Sequence, residues 1–165
     1  MGPYCNNIIE QNLLHKIENT FPQVIEVEIN NYRKERGLDS FDVLVWNDTL
    51  ADDCRKHSQW VNKNNKFMHH GDVDEDIRAP ERIIYSSECL ARMSLYGHLN
   101  TTYQQAAARF VYGWKKSPRH NAILLRPYNN MGGIGISVKN VKTVIITYRP
   151  AQNRKLTSKD PRLSH

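Results

Sequence analysis

The stretch from Trp114 to Gly135 does most to limit what this chain can fold into. Tyr103, Ala107, Phe110 and Trp114 recur at the spacing of one helical face. Thr102, with Gln105 three residues on, forms a capping-box signature at the start of that helix. Ser117-Pro118 ends it and opens a second, short helix, with Pro in the first turn and Ser117 as its cap. His120 sits just inside that second helix, and Gly133-Ile134-Gly135 follows thirteen residues later. From there the period changes to two. Gly133 to Val138 and Lys142 to Arg149 read as strands joined by the turn Lys139-Asn140-Val141. The second strand is apolar on both faces, as suits a central strand covered by helices.

The first half of the chain reads as helical. A short leading helix around Leu13, Leu14 and Ile17 precedes a longer one, with Pro22 in its first turn and Ile25, Ile29 and Tyr32 as its apolar face. Gly37 stands where a left-handed cap ends such a helix. Asn47 or Asp48 caps the next helix, whose stripe is Leu50, Cys54, His57 and Val61. A polar loop from Asn62 to Lys66 closes it. Ala79 to Ile84, with Pro80 near its start, reads as another short helix. Helices followed by antiparallel strands predict an α+β fold, a layered α-β-α sandwich around a small central antiparallel sheet. A chain of 165 residues is most simply one domain. The expected division is an N-terminal extension over 1–19, the domain over 20–150, and a basic tail over 151–165.

Composition excludes several classes of function. No apolar run approaches the ~20 residues of a membrane-spanning helix. The net charge is +6, and half of that excess lies in the tail, where Arg154, Lys155, Lys159 and Arg162 outnumber Asp160. No basic strand with interleaved aromatics supports specific nucleic-acid readout. Three cysteines, Cys5, Cys54 and Cys89, do not make a disulfide framework. Cys5 is either an incidental thiol or a lipid-anchoring residue, although Gly-Pro-Tyr before it is a poor lipidation signal. Asp72, Asp74 and Asp76 alternate as in a calcium loop, but Ile77 and Ile83 stand where an EF-hand needs Gly and Glu. There is no His-Glu-x-x-His zinc-protease motif and no Gly-x-Ser-x-Gly nucleophile elbow.

Several of these segments together resemble the CAP superfamily of cysteine-rich secretory, antigen 5 and pathogenesis-related proteins, and within it the disulfide-poor bacterial branch. The matching segments are Asn30-x-x-Arg33 with Gly37-Leu38, Leu44-x-Trp46-Asn47-x-x-Leu50-Ala51, Phe67-Met68-His69, Ser87-Glu88-Cys89-Leu90-Ala91, and Trp114-x-x-Ser117-Pro118-Arg119-His120. The resemblance implies one cavity holding His69, Glu88 and His120. A second family glutamate would fall just after Trp114, where this chain has Lys115, Lys116 and Ser117.

Three readings of that trio stand open. Two imidazoles and one carboxylate can bind Zn²⁺ weakly, leaving a position for water. The carboxylate can instead orient a histidine as a general base without metal. Or the three side chains can simply hold a buried junction together by hydrogen bonds. The family expectation is a secreted or cell-surface binding protein, lipid-anchored if Cys5 is modified, with a lipid, a sterol or a host macromolecule as its partner. The alternative is a metal-dependent or histidine-assisted hydrolase, which the missing second carboxylate disfavours.

Overall fold

The computed structural model describes residues 3–38, 42–69, 83–85, 87–94, 102–140 and 143–153. Helix α1 (Pro3–Glu35) leads through the short strand β1 (Val45–Trp46) into α2 (Asp48–Asn64). Strands β2 (Ile83–Tyr85) and β3 (Cys89–Ser94) follow, then helices α3 (Tyr103–Lys116) and α4 (Pro118–Leu124). The hairpin of β4 (Met131–Lys139) and β5 (Thr143–Asn153) completes the domain. The sheet runs β1-β4-β5, with β2 and β3 both pairing β5 along its far edge. All pairings are antiparallel except β1 with β4, which is parallel. β5 is therefore the covered strand that its two-sided apolar pattern predicts.

Helices lie on both faces of this sheet. Val144, Ile146 and Tyr148 of β5 pack with Ile17, Phe21, Ile25 and Ile29 of α1 and with Ala107, Val111 and Trp114 of α3. Ile145 and Thr147 face the other way, toward Val61 and Ser58 of α2. The α-β-α sandwich thus has one thick apolar layer and one thin, more polar layer. In the thin layer α2 lies almost directly on β4. Ser58 Oγ donates to the Gly135 carbonyl at 2.9 Å, and Asn62 Nδ2 donates to that of Ser137 at 2.9 Å.

The helix ends follow the local signals. Asn47 caps α2 by accepting from the Leu50 amide, and Thr102 and Gln105 form the reciprocal capping box of α3. Gly37 has φ +83, the left-handed value that ends α1. Ser117 occupies the N-cap of α4 without a side-chain bond, and Pro118 follows it in the first turn.

Two expectations are corrected. Pro22 does not begin a helix but lies inside α1, which runs through it. An interior proline costs about 3 kcal/mol. Burial of Ile17 and Phe21 against the sheet offsets it, each apolar side chain contributing roughly 1.5–3 kcal/mol. Ile83 and Ile84 are not helical. They form β2, opposite Asn153 and Gln152, so a partner some 70 residues away overrides the local pattern. β5 also extends past the expected domain boundary to Asn153. The acidic turn at Asp72–Asp76, residues 79–82, the Cys5 side chain and the chain from Arg154 onward lie outside the described residues.

One acid is buried in the thick layer. Glu26 of α1 lies against Gly132 and the Tyr148 ring, and its Oε1 has no hydrogen-bond partner among the described residues. Burial pushes its carboxyl up from 4.5 to about 8. The folded state therefore keeps a proton that the unfolded chain releases from about pH 4.5 upward. Stability should fall across pH 4.5–8, by up to ~1.4 kcal/mol per pH unit from this group, and level off above. Glu26→Gln should remove that slope. Urea melts of both proteins at pH 5 and pH 8 check this. Equal losses in the two would show that Glu26 is already ionised in the folded state.

Candidate functional site

The site is assembled where the end of α2, the start of β3 and the last turns of β5 meet. Helix α2 stops at Asn65, whose left-handed backbone (φ 52) turns the chain outward. His57, fully buried on α2, holds the segment that follows. Its Nε2 lies 2.8 Å from the Met68 carbonyl, which can only accept, so Nε2 carries the hydrogen. The His57 ring also stacks against Trp60, 6.0 Å between centroids. This contact sets His69 beside β3.

Glu88 immediately precedes β3, and the register Cys89↔Tyr148 puts it across from Arg149. Both Glu88 oxygens are engaged. Oε2 accepts from Arg149 at 2.8 Å, and Oε1 accepts from His69 Nδ1 at 3.0 Å. The His57 Nε2 stands 3.8 Å from the same Oε1. The Glu88 and Arg149 side chains are both 8% exposed, whereas His69 is 39% exposed. A buried ion pair is thus capped by an imidazole at its mouth. Because Nδ1 donates to the carboxylate, the other ring nitrogen of neutral His69 is an acceptor.

His120 approaches from the opposite layer. It sits in α4, which Asn121 anchors to α1 by accepting a 2.6 Å bond from the Tyr32 hydroxyl. The His120 ring packs 6.5 Å from that of Trp114. Its pKa lies below the ordinary imidazole value, first because of partial burial, then because of the neighbouring His69 and Arg119. The direct hydrogen bond among the three expected site residues joins Glu88 to His69.

Cys89 and Cys54 are buried free thiols, and burial, reinforced by Glu88, pushes both pKa values up. Neither can serve as a thiolate nucleophile at neutral pH.

The expected zinc set of His69, Glu88 and His120 is not drawn together as three direct ligands among the described residues, although His69 keeps its second ring nitrogen as an acceptor. Among the described residues no three His, Cys, Asp or Glu side chains are grouped to hold one ion. The Glu88 carboxylate faces a guanidinium on one oxygen and an N–H donor on the other. Two members of the assembly escaped the sequence reading. His57 was assigned to the helix stripe, and Arg149 to the end of a strand. The signal for Arg149 was there: Ile145, Thr147 and Arg149 share one face, so a charge falls where the pattern demands burial.

Several solved structures share this architecture. An outer surface protein from Borrelia burgdorferi is 16% identical with TM-score 0.56, over 79% of this chain and 91% of that one. An extracellular SCP-domain protein from Bacillus anthracis is 22% identical with TM-score 0.51, over 82% of this chain and 42% of that one. The venom allergen-like protein 4 of Schistosoma mansoni is 15% identical with TM-score 0.53, over 82% and 91%. No curated protein matches by sequence. No helix among the described residues is long and apolar enough to cross a membrane. The family model of the cysteine-rich secretory proteins matches residues 28–149, which spans every element of the site, and the chain belongs to that CAP family.

Proposed function

We propose that this chain is an extracellular or cell-surface binding domain whose cavity, bordered by His69, Glu88 and His120, recognises a lipid or a host component without turning it over. The observation that carries this reading is the state of Glu88. Its carboxylate is locked between Arg149 and His69, so it is committed to structure and cannot act as a free base. The outer-surface and extracellular descriptions of two similar structures support the compartment. One observation favours the hydrolase alternative: Glu88 orients His69 with its acceptor nitrogen away from the carboxylate, as a general base requires.

A single comparison separates the two. Wild type, His69→Ala and His120→Ala are titrated with phosphatidylcholine vesicles, with and without sterol, and with immobilised extracellular-matrix protein, then assayed on peptide and ester substrates. The expected result is binding to one of these surfaces, weakened several-fold in the histidine variants, with no turnover by any of the three. Turnover by wild type that His69→Ala abolishes would replace the binding reading with the hydrolase one. Binding unchanged in both variants would move the recognition surface away from the cavity.

A further inference from the structure

We infer that the exposed side of α3, from Arg109 through Tyr112 to Lys116 and on to Arg119, is a docking surface for a sulfated polysaccharide. The inference rests on the extracellular compartment of the proposed function but not on its cavity.

The charges of this chain are segregated along its length. Sixteen of the 17 acidic side chains lie in residues 1–88, and the last is Asp160. From Cys89 to Lys159 there is no Asp or Glu, against twelve Lys and Arg. Helices α3 and α4 lie wholly in that stretch, so neither can supply a carboxylate to its own cations. Neighbouring elements do not supply one either. Among the described residues, no carboxylate stands within ion-pair distance of Arg109, Lys115, Lys116 or Arg119. Helix α2 is built the other way, with Arg55 and Lys56 both paired to Asp52. A basic helix face left without counter-ions projects a positive potential and draws polyanions to it.

The shape of that face narrows the class of polyanion. Arg109, Tyr112 and Lys116 are all exposed, and Arg109 and Lys116 stand two turns apart on one side of the helix, about 10 Å along its axis. Tyr112 lies between them, 54% exposed, with the Lys116 Nζ 4.5 Å from its ring centre. Lys115 is instead seated on the Tyr32 ring of α1, at 4.2 Å. Beside the strip runs a groove of about 290 Å³, walled by Phe110 and Trp114 of α3 and by Met93 of β3. Spaced cations match sulfate groups repeated along a chain, and a guanidinium grips such an oxyanion with two parallel N–H groups. The Tyr112 ring offers an apolar face with a polar tip, as a sugar ring does in return. A membrane surface fits less well. Among the described residues, Tyr112 is the only exposed large apolar side chain on α3 or α4, so the face has no apolar stripe to sink among acyl chains. A single exposed aromatic likewise gives no run of platforms for stacked bases.

The probe is heparin, followed by column retention and by calorimetry at neutral pH and about 0.15 M salt, with phosphatidylserine vesicles and single-stranded DNA as parallel arms. Wild type should be retained at that salt and bind heparin more tightly than either other probe. Arg109→Gln/Lys116→Gln/Arg119→Gln should lose roughly tenfold or more in affinity. Its plot of log affinity against log salt should flatten by about 2–3, close to one unit per lost cation. Arg55→Gln/Lys56→Gln/Lys63→Gln removes the same charge from the exposed side of α2 and should stay within about twofold of wild type. His69→Ala should bind heparin as wild type does, so the surface and the cavity reading fail separately. Wild type that is not retained would overturn the inference. So would equal affinities in the two triple variants, which would assign any binding to net charge or to the basic residues after Asn153. Tighter binding to vesicles or DNA than to heparin would replace the polysaccharide with that partner, and loss of heparin binding in His69→Ala would move the surface to the cavity.

Discussion

Gly135→Ala is expected to leave no cooperative thermal transition near that of wild type, whereas Gly113→Ala should leave stability unchanged or raise it. The chemical change is the same, one methyl group, and the surroundings decide the sign. At Gly135 an added Cβ would overlap the backbone of α2 at Arg55 and Cys54. Backbone on both sides cannot rotate away as a side chain can. Ordinary overpacking costs about 1–3 kcal/mol; here the helix must lift off the sheet. Lifting it breaks the Ser58–Gly135 and Asn62–Ser137 bonds and opens the packing of Val61 on Ile145. The expected loss is about 5 kcal/mol or more, comparable with the ~5–15 kcal/mol that a whole domain has. At Gly113, inside α3, an added Cβ meets nothing within 4 Å. Helix propensity alone then favours Ala by roughly 0.5–1 kcal/mol. Thermal melts followed by far-ultraviolet circular dichroism make the comparison. A Gly135→Ala protein melting within a few degrees of wild type would mean that α2 does not ride directly on β4.

This accounts for Gly133-Ile134-Gly135 in physical terms. The two glycines do not provide unusual backbone angles; they remove side chains where a helix crosses a strand. At Gly133 an added Cβ would likewise press into Leu50 and Ala51. From the sequence the motif is visible as a resemblance, but its cause is a contact between segments some 80 residues apart.

The same division between local and distant causes separates what was legible from what was not. The capping box at Thr102, the cap at Asn47 and the stripe of Leu50, Cys54, His57 and Val61 depend on neighbours within a few turns, and all stand as read. Pro22 and Ile83–Ile84 misled because their states are set by packing and pairing that no local pattern records. At the site, the sequence placed His69 and Glu88 together only through resemblance, and the structure joins them at 3.0 Å. It missed Arg149, whose partner Glu88 lies 61 positions earlier. A charge on the inward face of a strand is the one mark such a pair leaves in a sequence.

The second large effect is expected at Arg33, the buried end of the Asn30-x-x-Arg33 segment. Asn30 brackets the Leu44 backbone, accepting from its amide at 2.9 Å and donating to its carbonyl at 3.0 Å. Arg33, 1% exposed, donates to four carbonyls: Asp42 through two nitrogens, and Leu124, Arg126 and Asn129. Burial holds its pKa below the ordinary value, partly offset by Tyr148 and Asp42. The Asp42 carboxylate in turn accepts from the amide of Tyr128, which sits at φ 68. One guanidinium thus ties the loop before β1 to the end of α4 and the turn into β4. Arg33→Met fills the space but leaves those carbonyls without their donor, at about 1–3 kcal/mol for each that water cannot reach. The expected loss is about 4–5 kcal/mol, a fall in melting temperature on the order of 10–15 °C at ~2–4 °C per kcal/mol. Arg33→Lys should recover little, because an ammonium lacks the planar fork that reaches several acceptors at once. The damage should also be local. α4 carries His120, and its last turn is closed by the Leu125 amide on the Asn121 carbonyl. Hydrogen exchange at Leu125 should accelerate in Arg33→Lys well beyond that at Leu50, whose amide is held by Asn47 on the far side of the sheet. Uniform acceleration at both amides would make Arg33 a contributor to global stability only; selective loss at Leu125 would make it the residue that holds His120 in place.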